Sequence, residues 1–139
     1  MKKVVFICHG NMFRSQVAQA FYNQLAKDGS RAYSYGTHVL DRGLQGVKLS
    51  LKPGLEILIA EMKKYGLDIG NEQCEQLKEE YLKDADRIIV MVEKEFIPEW
   101  LNKYKYEYWG NIPNPDTHTV EFMEGAIKLI RGKVLELIK

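Results

Sequence analysis

"VVFICHGNMFRS", residues 4–15, sets a β-branched apolar run against a loop that holds Gly10 and Asn11 and ends in Arg14 and Ser15. A run this short and continuous is the pattern of a strand covered on both faces. Cys8 stands where that strand stops, among residue types that a packing cysteine does not need. Beyond the loop, Val17, Ala18, Phe21, Tyr22 and Leu25 recur at helical spacing over 15–27, and Gly29 follows where a helix would end. Strand, loop and helix therefore fill the first thirty residues. That order puts Cys8 at the carboxyl end of a central strand, where open α/β sheets bind their ligands.

Working outward, "RAYSYGT" (31–37) predicts a second strand, and "HVLDRGLQGVKLSL" (38–51) has no clear period and reads as a long loop. Residues 53–65 open with a proline suited to a first helical turn and end at Gly66, which predicts the second helix. A shorter helix is expected over "EQLKEEYLKDA" (75–85), a strong strand over "RIIVMV" (87–92), a further helix from Glu93 and a weaker strand over "YEYW" (106–109). Val120, Met123, Ile127, Ile130, Val134 and Ile138 form the apolar stripe of a long final helix. Strands alternating with helices, without hairpin turns, predict a three-layer α/β fold: a parallel sheet with helices on both faces.

Composition bounds the rest. The 139 residues suit one domain spanning 1–139, and 45% hydrophobic with 28% charged residues is ordinary for a globular chain. A formal net charge of +1 gives no electrostatic case for nucleic-acid binding. The apolar run after "MKK" is short and no cleavage site follows, so export is not expected. No stretch approaches the roughly 18 apolar residues that span a bilayer. Cys8 and Cys74 are expected to be free thiols of a cytoplasmic protein. The three histidines have no metal-ligand spacing; His9 is expected in the loop, His38 and His118 on the surface, and no cofactor or metal is called for.

The loop's chemistry points to an anion. A segment that curls from a strand into a helix's first turn aims successive backbone N–H groups at one point, where the helix dipole adds partial positive charge. Gly10 and Asn11 tolerate the unusual backbone angles such a curl needs. Through its backbone, each of His9, Gly10, Asn11, Met12, Phe13 and Arg14 is a candidate phosphate-binding residue. Arg14, six positions after Cys8, can also reach back and hold two oxygens of a tetrahedral anion with its planar fork. The same surroundings favour the thiolate of Cys8, and Ser15 can donate a hydrogen bond to it.

"CHGNMFRS" (8–15), "SYGT" (34–37), "YGLDI" (65–69), "DADRIIVMV" (84–92) and "IPNPD" (112–116) together resemble the low-molecular-weight protein tyrosine phosphatase family, whose fold is shared with thioredoxin-type arsenate reductases. The resemblance spans nearly the whole chain. It implies a four-stranded parallel sheet and a phosphocysteine mechanism, with Cys8 as nucleophile, Arg14 as phosphate clamp, and Asn11, Ser15 and Ser34 as a supporting polar network. It also implies partners: a phosphorylated protein or small aryl phosphate, and oxyanions such as phosphate, vanadate or arsenate.

Three positions depart from the pattern. Phe13 stands where many members carry a second cysteine, Glu72 where bacterial relatives often have a histidine, and Asn114 in the slot of the general-acid aspartate. Asp116, two residues on, either supplies the missing carboxyl group or caps the final helix. Phe13 and Tyr35 are candidates for contacts to a substrate ring. Cys74 lies outside the region after "RIIVMV" where arsenate reductases keep resolving cysteines, and packing is its expected role. The expected activity is a cysteine-dependent phosphatase. Its rivals are an arsenate reductase using an external thiol and a catalytically impaired phosphate-binding module.

Overall fold

The computed structural model describes residues 2–113 and 119–139. Four parallel strands, β1 (Lys3–Cys8), β2 (Arg31–Gly36), β3 (Arg87–Val90) and β4 (Glu107–Tyr108), lie in the order β2-β1-β3-β4. Three α-helices accompany them: α1 (Arg14–Leu25), α2 (Glu56–Lys63) and α3 (Val120–Ile138). The chain leaves β1 for β2 on one side and returns to β3 on the other. This reversal opens a crevice at the carboxyl end of β1, the usual ligand position in such sheets.

Strand alternation divides the core. Val4, Phe6 and Cys8 point to the face carrying α1, α2 and α3, where they meet Val17, Phe21, Leu58, Met62, Ile127 and Ile130. Val5 and Ile7 point to the opposite face with Ile88, Val90, Leu82 and Leu101. Because both faces of β1 are fully covered, its apolar run is continuous rather than alternating. Each such side chain contributes about 1.5–3 kcal/mol by leaving water.

The expected three layers are present, but the second outer layer is not built from α-helices. It consists of 3₁₀ turns at Glu79–Leu82, Lys94–Phe96 and Glu99–Lys103, which corrects two expectations. The helix expected over 75–85 does not form, since this segment runs beside the end of β2: Gly36 donates to the Glu75 carbonyl (2.9 Å) and Leu77 donates to the Gly36 carbonyl (2.8 Å). Those backbone groups are already paired outside a helix. The helix expected from Glu93 is divided by Pro98, which lacks an N–H and forces Ile97 into an extended conformation. Helix α2 begins at Glu56 rather than Pro53, after Gly54 turns the chain at φ 94°. Among the described residues, no helix is long and apolar enough to cross a membrane.

Candidate active site

Cys8 is the last residue of β1, and Arg14 is the first of α1. The loop between them is pressed against the end of β2. Gly36 pairs with Cys8, and a Cβ on Gly36 would lie 2.7 Å from the His9 carbonyl oxygen and 2.8 Å from the Asn11 nitrogen. Only glycine allows that approach. The contact is secured by Thr37 N–H donating to the Cys8 carbonyl and His38 N–H to the His9 carbonyl, each at 2.9 Å.

Asn11 is the one described non-glycine residue at positive φ, 55°, a region open to asparagine when its side chain is bonded locally. Its Nδ2 donates to Ser15 Oγ (2.7 Å) and Ser34 Oγ (3.1 Å), while its Oδ1 accepts from Glu75 N–H (2.9 Å). Gln16 Nε2 ties the Asn11 carbonyl (3.2 Å) to the Gln73 carbonyl (3.1 Å). Asn11 and Ser15 are fully buried, so the network fixes the curl of the loop. Cys8 Sγ lies 2.9 Å from Ser15 Oγ. An amide NH₂ can only donate, so Ser15 Oγ accepts from Asn11, and the hydroxyl proton is directed at the sulfur.

No described residue accepts a hydrogen bond from any backbone N–H between His9 and Ser15. Nor does α1 carry a capping side chain or an acidic residue in its first turn. A row of donors at a helix start with no described acceptor can hold an oxyanion.

Arg14 completes it. The guanidinium is buried; Nη1 donates to the Met91 carbonyl at 2.8 Å and Nη2 to Glu93 Oε1 at 3.2 Å. Two of its five N–H donors are thereby spent on orientation, and three remain. Burial alone would raise the Glu93 carboxyl, but its own backbone N–H and the Arg14 guanidinium carry it below the usual carboxylate range. Cys74 is buried, and burial, with Cys8 adding to it, pushes its thiol up to about 11.

Of the residues expected at the site, Cys8, His9, Gly10, Asn11, Met12, Phe13, Arg14, Ser15 and Ser34 come together. Asn114, Asp116 and His118 lie outside the described residues. Phe13 is buried and belongs to the core against α1, and Tyr35 stacks on Tyr81 with ring centroids 4.6 Å apart. The sequence did not single out Gln16, Gly36, Glu93, Arg42 or Phe96. Glu93 was within reach of inference: Ile7 pairs with Val90, so a residue just past β3 falls beside the loop. His9 lies in the loop as expected, but His38 is half-buried against it rather than a separate surface group. Their rings stack at 4.4 Å with 6° between planes, because the loop after β2 is bonded directly to the His9 backbone.

Residues 3–107 match the model of the low molecular weight phosphotyrosine protein phosphatase family. A glutaredoxin arsenate reductase of Synechocystis sp. is 28% identical over 141 residues, covering 100% of this chain and 95% of that protein. Wzb of Vibrio vulnificus, solved in complex with benzylphosphonate, superposes with a TM-score of 0.80 at 23% identity, covering 99% of this chain and 97% of that one. An arsenate reductase solved in its phosphate binding state gives 0.76 at 26% identity, with coverage of 99% and 97%.

Proposed function

Because this chain belongs to the low molecular weight phosphotyrosine protein phosphatase family, we propose that it hydrolyses phosphomonoesters, phosphotyrosine or other aryl phosphates in particular, through a phosphocysteine intermediate. One observation carries this reading: the thiol of Cys8, with Ser15 beside its sulfur, sits at the base of a loop whose N–H groups from His9 to Ser15 have no described acceptor.

The arrangement supplies each step. The Cys8 thiolate attacks phosphorus while the ester oxygen leaves with its electron pair. The loop amides and the remaining N–H groups of Arg14 hold the equatorial oxygens, whose charge is stabilised where it develops. Water then attacks the phosphocysteine, phosphate departs, and sulfur regains its electron pair facing the Ser15 hydroxyl. A reducing cytoplasm keeps Cys8 in the required thiol form.

Proton delivery to the leaving oxygen is assigned to Asp116, since Asn114 cannot donate a proton at neutral pH. That assignment is supported by the cap of the final helix, where Thr119 Oγ1 accepts from Phe122 N–H at 3.2 Å.

A second reading, an arsenate reductase using an external thiol, is supported by relatives such as the Synechocystis protein. The same cradle accommodates arsenate, and reduction draws two electrons from thiols that end as a disulfide. Cys74 is a poor internal source, because its raised thiol remains protonated at neutral pH. Hydrolysis of a panel of aryl and alkyl phosphates, measured beside thiol-dependent arsenate reduction, separates the two. The phosphatase reading expects turnover of aryl phosphates without added thiol cofactor. Arsenate reduction with no phosphate ester turnover overturns it.

A further inference from the structure

Beside the cradle, four side chains from three segments form a structure that phosphoryl transfer does not use. The ring of His9 stacks on His38, and Phe96 meets both edge-on, at 4.9 Å from His9 (72°) and 5.4 Å from His38 (77°). Phe96 is 42% exposed, a large ring held at the surface three residues after Glu93, whose carbonyl accepts from Phe96 N–H. Arg42 closes the other side. Its Nη1 lies 3.2 Å from His9 Nδ1, and a Cβ on Gly10 would meet that same nitrogen at 2.5 Å. The guanidinium therefore lies on the cradle loop itself.

The chemistry of these contacts has a direction. A guanidinium can only donate, so His9 Nδ1 must carry its lone pair, and the ring is the neutral tautomer with hydrogen on Nε2. Burial first, then His38, Arg42 and Arg14, lower the His9 pKa against the opposing pull of Glu93, in keeping with a neutral ring. Arg42 is exposed, forms no ion pair with a carboxylate among the described residues, and so brings an unanswered positive charge to this rim, on which Glu93, paired with Arg14, also acts. The His9, His38 and Phe96 rings are thus clustered next to the cradle loop, with the Arg42 guanidinium against Gly10.

We propose that Phe96, His38, His9 and Arg42 form a recognition subsite for the leaving group, which selects phosphotyrosine flanked by acidic residues. The proposal rests on the phosphatase reading and names its substrate class. Phe96 and His38 would take the tyrosine ring, and Arg42 the neighbouring carboxylate.

The test is steady-state kinetics on two phosphotyrosyl hexapeptides, one with Asp and Glu flanking the phosphotyrosine and one with Ser and Gly. The acidic peptide should have a kcat/KM about threefold higher, expressed in KM and shrinking as salt rises, as for an exposed ion pair. Arg42→Gln should abolish the preference, and Arg42→Lys should restore part of it. Phe96→Ala should raise KM for both peptides about fivefold, the range of an aromatic contact. Binding of the two peptides to Cys8→Ser gives the same ratio without turnover. Equal kcat/KM for the two peptides in the wild type, or a preference that survives Arg42→Gln, overturns the subsite while leaving the phosphatase reading intact. If neither peptide is hydrolysed, the phosphatase reading falls, and the subsite with it.

Discussion

Helices α1 and α3 begin in opposite ways. Helix α3 has Thr119 as a side-chain cap and Glu121 in its first turn, so part of its donor set is satisfied and its dipole is answered by a carboxylate. Helix α1 has neither: Phe13 occupies the cap position without a side-chain bond, and the first residue, Arg14, adds positive charge where a carboxylate would stabilise. Taken alone, α1 is badly started. The buried hydrogen bonds of Asn11, Ser15 and Gln16 hold it that way. A helix start maintained against its own electrostatics is a place prepared for a bound anion, whereas a capped start needs none.

The contrast can be broken in graded ways. The largest expected effect lies in the segment between β4 and α3. If Asp116 serves the site at α1 and not the start of α3, Asp116→Asn should slow hydrolysis of alkyl phosphates by about 10² to 10⁴. p-Nitrophenyl phosphate, whose leaving group departs unprotonated, should be far less affected. Equal slowing across leaving groups would count against proton transfer. Next, Arg14→Lys keeps the charge at α1 but loses the planar fork, and should lower kcat/KM by about 10² to 10³ and weaken phosphate binding in a titration. Wild-type phosphate affinity in that variant would leave Arg14 as a helix residue only.

Ser15→Ala removes the hydroxyl aimed at Cys8 and should cost about 10- to 100-fold, the usual range for a hydrogen bond to a charged group. Since the sulfur is the leaving group of the second step, dephosphorylation should slow most, giving a burst of phenol followed by a slower steady state. The smallest effect belongs to α3. Thr119→Ala should lower the unfolding free energy by about 1 kcal/mol, equally with and without phosphate. The wild type should gain stability from phosphate, and Arg14→Lys should lose that gain.

How much of this was legible in the sequence follows the same divide. Strand β1, the Cys8–Arg14 loop and α1 could be read directly, because their pattern is local: an apolar run, two permissive backbone residues, then helical spacing. So could α3, from its stripe. The second outer layer could not, since nothing in the period of 75–85 reveals that Gly36 takes its backbone hydrogen bonds, and Pro98 divides a segment whose surrounding residues favour helix. Within the site, Cys8, Arg14, Asn11, Ser15 and Ser34 were legible from spacing and resemblance. Glu93, Gln16 and Arg42 were not, because each reaches the loop from a distance set by sheet register or loop path. His9 and His38 looked unrelated for the same reason.

The central claim is that the unsatisfied start of α1 cradles a phosphoryl group while Cys8 carries it. It is tested most directly by acid-quenching the protein during turnover of an aryl phosphate and measuring intact mass, followed by peptide mapping. The account predicts one phosphoryl group, on Cys8, present in the wild type, accumulating in Ser15→Ala and absent in Cys8→Ser. Turnover without any covalent phosphate, or a phosphoryl group on a residue other than Cys8, would contradict it.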